Sequence, residues 1–147
     1  MNQKEIAKDF FNQASLRFKT AKNVLEEGAF AYCIRQSQEA VELALKSALK
    51  LVGIDFPKWH DIGEFLVNAR SKFPKEFGEK VSELAKISET LKDLREPSMY
   101  GDETQEMGPS SLFNRSDAEE IIKETNFTLQ SVSLLFKAFE KNKNKVE

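Results

Sequence analysis

Two stretches of this chain hold residue types that do chemistry together. In the first, Arg95 is followed after four residues by Tyr100, in the run Arg95-Glu96-Pro97-Ser98-Met99-Tyr100. A guanidinium is a permanent planar cation that clamps phosphate or carboxylate oxygens. A phenol stacks on a base or donates a hydrogen bond to an anion. Each residue also fits a plainer role: Arg95 as a cation favourable at a helix C-terminus, Tyr100 as a turn residue with its ring on the preceding helix. The second stretch is a stripe of Arg35, Gln38, Glu39, Glu42, Lys46 and Lys50. At about 100° per residue these fall on one helical face roughly 120° wide. Its simplest reading is a solvated face with pairs at i,i+4: Arg35 with Glu39, Gln38 with Glu42, Glu42 with Lys46. The alternative is that Glu42 and Lys46 line a cleft facing Arg95.

The remaining reactive types point to little. His60 is the single histidine and Cys33 the single cysteine, so any site needing two Cys or two His ligands, and any internal disulfide, is excluded. His60 beside Asp61 reads as a helix cap. Asp102, Glu103 and Glu106 read as a solvated loop, and neither a metal nor a cofactor is expected. Ser98, Ser110 and Ser111 lack a nearby His and a nucleophile elbow, and the chain has no Gly-rich phosphate loop. Cys33 falls on the apolar side of its helix and reads as core.

These residues need elements to hold them. Apolar spacing is helical throughout, with no sustained period-two alternation. A first helix is predicted over about residues 3–27, with Ala7, Phe10, Phe11, Ala14, Phe18, Ala21 and Leu25 on one face, Asn2 and Glu5 as its capping pair, and Gly28 ending it. A second, over about 29–52, carries the polar stripe on an otherwise apolar surface too wide for one neighbour, and so belongs at the centre. A third covers about 61–72. The fourth, about 75–95, presents Phe77, Val81, Leu84, Ile87, Leu91 and Leu94. The fifth, about 117–143, starts at a Ser116/Glu119 capping pair and presents Ala118, Ile121, Ile122, Thr125, Leu129, Val132, Phe136 and Phe139. The Lys-rich end, 141–147, is expected to fray. Pro97 is expected to break the helix between Arg95 and Tyr100. The 96–116 connection is long for a compact domain, and loops beyond roughly 12–15 residues are often functional.

With 147 residues, the chain fits one domain. It has 40% hydrophobic and 31% charged residues, enough apolar material for a core and too much for disorder. Lys plus Arg number 22 against 24 Asp plus Glu, a net charge of −2. That balance excludes a polybasic nucleic-acid binder, though not a local basic patch. No run is long and apolar enough for a bilayer span, and no signal-peptide apolar region follows Met1. A cytoplasmic protein is expected, to which a lone cysteine is suited. The predicted architecture is a single all-α domain, an up-and-down bundle of about five helices.

The run Gln38-Glu39-Ala40-Val41-Glu42-Leu43-Ala44-Leu45-Lys46 resembles the second-helix signature of HEPN domains. The opening helix with Phe10, Ala14 and Ala21 is similar to theirs, as are Gly28-Ala29-Phe30 before helix two and His60-Asp61-Ile62 before helix three. The resemblance spans roughly residues 5–140. It implies a bundle that forms a homodimer. Many such domains are encoded beside a minimal nucleotidyltransferase, in toxin–antitoxin or related pairs. Many are metal-independent ribonucleases that use an Arg and a His a few residues apart.

Arg95 matches the motif Arg, whereas Tyr100 stands where the His belongs. An ordinary phenol, with a pKa of about 10, is a poor base at neutral pH. The first expectation is therefore a HEPN-type module without the ribonuclease chemistry. It would pair with a minimal nucleotidyltransferase and bind nucleotide or RNA through Arg95 and Tyr100, with Glu42, Lys46 and Arg35 as further ligand-binding candidates. The resemblance favours the cleft reading of the polar stripe. A second expectation is a ribonuclease toxin in which Arg95 holds the scissile phosphate and Tyr100 or His60 replaces the base. A third is a structural dimerisation module, in which off-face aromatics such as Phe113 and Phe127 meet a second subunit.

Overall fold

The structure, a computed structural model, describes residues 2–56 and 62–146, with side chains to Lys141. Its helical elements run in chain order: α1 Gln3–Glu26, α2 Phe30–Leu51, α3 Ile62–Asn68, a 3-10 turn Arg70–Lys72, α4 Lys75–Gly78, α5 Val81–Asp93, α6 Arg95–Tyr100, α7 Pro109–Leu112 and α8 Arg115–Val146. Three of them, α1, α2 and α8, are long, and the all-α bundle read from the sequence is the fold. The cap expected at His60 and Asp61 lies outside the described residues.

The Oδ1 of Asn2 accepts from the Glu5 amide at 2.9 Å, which caps α1 as the sequence predicts. At the far end Gly28 takes φ +83°. This left-handed residue lets the Gly28 and Ala29 amides donate back to Leu25 and Val24, each at 3.0 Å. The closed turn reverses the chain, so α1 and α2 pack along their length. Ala7, Ala14, Phe18 and Ala21 are the buried residues of α1, and the three alanines let α1 sit close against its neighbour.

Helix α2 is the centre of the molecule. It contacts α1, α3, α5, α6, α7 and α8, and Tyr32 is its single exposed residue. Ile34, Val41, Leu45 and Leu49 are fully enclosed, each burial worth about 1.5–3 kcal/mol. Cys33 is wholly buried, and burial pushes its thiol up to about 11 against a weaker opposing pull from the Ser37 hydroxyl. Such a thiol is chemically quiet at neutral pH. Helix α8 closes the bundle with Ala118, Ile121, Leu129, Val132 and Leu135 buried, and stacks Phe136 on Phe11 of α1 with ring centroids 5.5 Å apart.

Four local expectations are corrected. The 75–95 segment is two helices, because Gly78 lowers helix propensity where α4 ends. Pro97 does not break the chain between Arg95 and Tyr100; those residues form α6, and the break lies at Leu94. A proline ring clashes with the carbonyl four residues back, which here belongs to Asp93, the last residue of α5. The missing proline N–H falls in the first turn of α6, where no intrahelical partner is needed. The third correction is the cap of α8. Asn114 and Asp117 form it, the Asp117 amide donating to Asn114 Oδ1 at 2.9 Å and the Asn114 amide to Asp117 Oδ2 at 3.0 Å. Ser116 and Glu119 lie within the helix. Lastly, the 96–116 connection is built of α6, an antiparallel Asp102–Met107 bridge and α7. The backbone of α8 continues to Val146.

Candidate functional site

Helix α6 is short, yet it is fixed at both ends. Ser98 is buried, and its hydroxyl donates to the Arg95 carbonyl at 3.1 Å. Beyond Tyr100 the chain turns at Gly101, with φ +77° and ψ −154°, a conformation reserved almost wholly to glycine. A Cβ there would lie 2.2 Å from the Met107 carbonyl oxygen. The turn then closes through paired bonds between Asp102 and Met107, at 2.8 and 2.9 Å.

Between the first half of α2 and the α6–α7 arm lies a cleft of about 620 Å³. That volume is in the range of small-ligand sites. Its walls include Ala29, Phe30, Ala31, Met99 and Pro109, and its polar groups include Arg35, Glu39 and Ser98. Tyr32 and Met99 stand at its rim, half exposed. Arg115 stacks its guanidinium over the Phe30 ring at 5.1 Å from the centroid. Glu39 lies between two cations: its Oε1 is 3.7 Å from Arg35 Nη2 and its Oε2 is 3.6 Å from Arg17 Nε. Arg35 also donates weakly to Gln38 Oε1, at 3.5 Å. Arg35 and Glu39 lie on the cleft wall and offset each other's charge, while Arg17 reaches Glu39 from α1, outside the lining.

Arg95 is exposed, and among the described residues it forms no ion pair. It sits at i−4 from Met99, about 40° around α6, so the two share a face. A free guanidinium thus lies one turn from the cleft rim. Tyr100 is 64% exposed and about 140° around α6 from Arg95. It faces a second cleft of about 580 Å³, with Leu94, Pro97, Leu112 and Phe113 as apolar walls and Glu96, Asp102 and Glu103 as acids. The helix therefore holds Arg95 and Tyr100 apart. Among the described residues, no group of His, Cys, Asp or Glu is placed to hold a metal ion.

The polar stripe of α2 divides. Arg35 and Glu39 line the first cleft. Glu42 pairs with Lys46 at 4.0 Å, and Lys46 and Lys50 each lie 5.7 Å from the Phe56 centroid, away from the cleft lining. Gln38 is buried. Sequence reasoning missed Tyr32, Met99, Arg17 and the α7 wall. Tyr32 carried a signal, as the aromatic left over when the apolar positions of α2 are assigned to the core. Met99 and the α7 wall meet the cleft only through tertiary packing, and Arg17 reaches it only by way of Glu39.

A HEPN domain model matches residues 7–135. The chain belongs to the HEPN family. Among solved structures, the protein TT1696 from Thermus thermophilus is similar, with a TM-score of 0.67 and 26% identity over 90% of this chain and 98% of that one. No curated protein matches. Within this HEPN domain, Arg95 opens α6 and Tyr100 closes it. No helix among the described residues is long and apolar enough to cross a membrane.

Proposed function

We propose that this HEPN domain is a non-cleaving binding module that takes the phosphates of a nucleotide or RNA and serves as the partner of a minimal nucleotidyltransferase, itself a homodimer. The observation that carries the reading is the pairing of a roomy, largely apolar cleft with two cations on facing elements, Arg35 in its lining and the unpaired Arg95 one turn along α6. Apolar walls accept a base, and guanidinia accept phosphate oxygens.

Cleavage by an Arg95–Tyr100 pair is disfavoured by the geometry of α6. A base for 2′-hydroxyl attack must reach the same phosphate that the cation holds. Tyr100 lies about 140° around α6 from Arg95 and lines a different, acid-lined cleft.

Thermal melting with rising ATP or a short RNA tests the binding reading. Wild type is expected to be stabilised progressively, as a ligand that binds the folded state requires, and Arg95→Ala to lose most of that shift. Incubation of the protein with RNA in EDTA is expected to leave the RNA intact. Cutting that Arg95→Ala abolishes would establish the ribonuclease instead, and absence of any ligand shift would leave a structural dimerisation module. Co-elution with the product of a neighbouring nucleotidyltransferase gene tests the partnership.

A further inference from the structure

The polar groups of the α2–α6 cleft are of two opposite kinds. Arg35 offers only donors, and Glu39, when ionised, only acceptors. Both sit on one face of α2, four residues apart, and both line the same wall. Both Glu39 contacts, at 3.6 and 3.7 Å, are longer than hydrogen bonds. Among the described residues neither carboxylate oxygen accepts a side-chain hydrogen bond, so their lone pairs are open to a ligand. The two arginines hold the carboxylate in place from either side, and Arg35 itself is only 13% exposed.

A wall with an acceptor pair beside a donor fork selects among bases. Guanine offers two parallel donors, N1–H and the N2 amino group, next to the acceptor O6. Adenine and cytosine each offer a single exocyclic donor, and present a ring nitrogen lone pair where guanine has N1–H. That lone pair would face a carboxylate oxygen and be repelled.

We infer that the cleft prefers a guanine base, with Glu39 accepting from N1–H and N2–H and Arg35 donating to O6. The base then lies among Phe30, Tyr32 and Met99, and its phosphates extend towards Arg95. This rests on the nucleotide-binding reading above and adds the base to it.

Isothermal titration of the full chain with GTP, ITP, ATP and inorganic tripolyphosphate tests it. ITP differs from GTP only by lacking the N2 amino group. GTP is expected to bind at least about tenfold tighter than ATP, the factor that one charge-assisted hydrogen bond supplies, with ITP between them and tripolyphosphate weakest. Glu39→Gln, checked for an unchanged melting profile without ligand, is expected to weaken GTP and, because the carboxylate that repels the adenine ring nitrogen is gone, to tighten ATP, so that the two affinities converge. Equal affinity for GTP and ATP, or for GTP and ITP, in wild type overturns the guanine assignment and leaves nucleotide binding standing. A preference that survives in Glu39→Gln overturns the role of Glu39. If no nucleotide binds, the guanine assignment and the reading beneath it fall together.

Discussion

The charge state of single side chains decides what this molecule can do. Arg95 keeps its charge on offer because α6 begins at that residue and no acid among those described reaches it. Arg35 is held instead, nearly buried between Gln38 and Glu39. Glu124 shows the opposite situation. Burial, and then the nearby charges of Glu120 and Glu83, raise its carboxyl above the ordinary carboxylate range. A group whose folded pKa is raised contributes stability that is full below its unfolded pKa and is lost as pH rises through the folded one. Glu124→Gln is therefore expected to raise the melting temperature at neutral pH by only about 1–2 °C, because solvent screens a partly exposed side chain. The gain should vanish as the pH drops below the carboxylate range. Melting curves across pH check this, and a variant less stable at neutral pH would contradict it. Arg95 and Tyr100 were legible as candidates because their types and spacing stand out. Their separation was not, since it depends on α6 being helical despite Pro97.

At the scale of elements, helix periodicity was read correctly wherever a long apolar face exists. The buried residues of α1, and Val81, Leu84, Ile87 and Leu91 of α5, are those the spacing selects. Boundaries failed where a proline or a cap decides them. Pro97 stops the helix before it, four residues upstream, and then starts the next. Asn114 outcompetes Ser116 as a cap because Asp117 answers it from the third position. The 96–116 connection looked like an open loop because its order comes from a single glycine conformation and one bridge. Gly101→Ala is thus expected to destabilise the domain by about 2 kcal/mol or more. Hydrogen exchange should show lost protection at the Asp102 and Met107 amides. Unchanged protection there would mean that the turn is not held by Gly101.

For the whole molecule, the bundle places two unlike clefts on either side of α6. The largely apolar one is shared with α2 and the start of α7, and the acidic one with the turn and the end of α7. The fold was legible because a central helix with apolar residues on most of its surface needs neighbours all round. The cleft was not, because its walls come from segments far apart in the chain: the α1–α2 turn, α2, α6 and α7. Photolabelling with an azido-purine nucleoside triphosphate, followed by mapping of the labelled peptides, tests the central claim most directly. Saturable labelling is predicted within residues 28–39 and 98–110, competed by unmodified nucleotide and strongly reduced in Arg95→Ala. Label that concentrates on α3 and α5, or that Arg95→Ala leaves unchanged, would contradict the account.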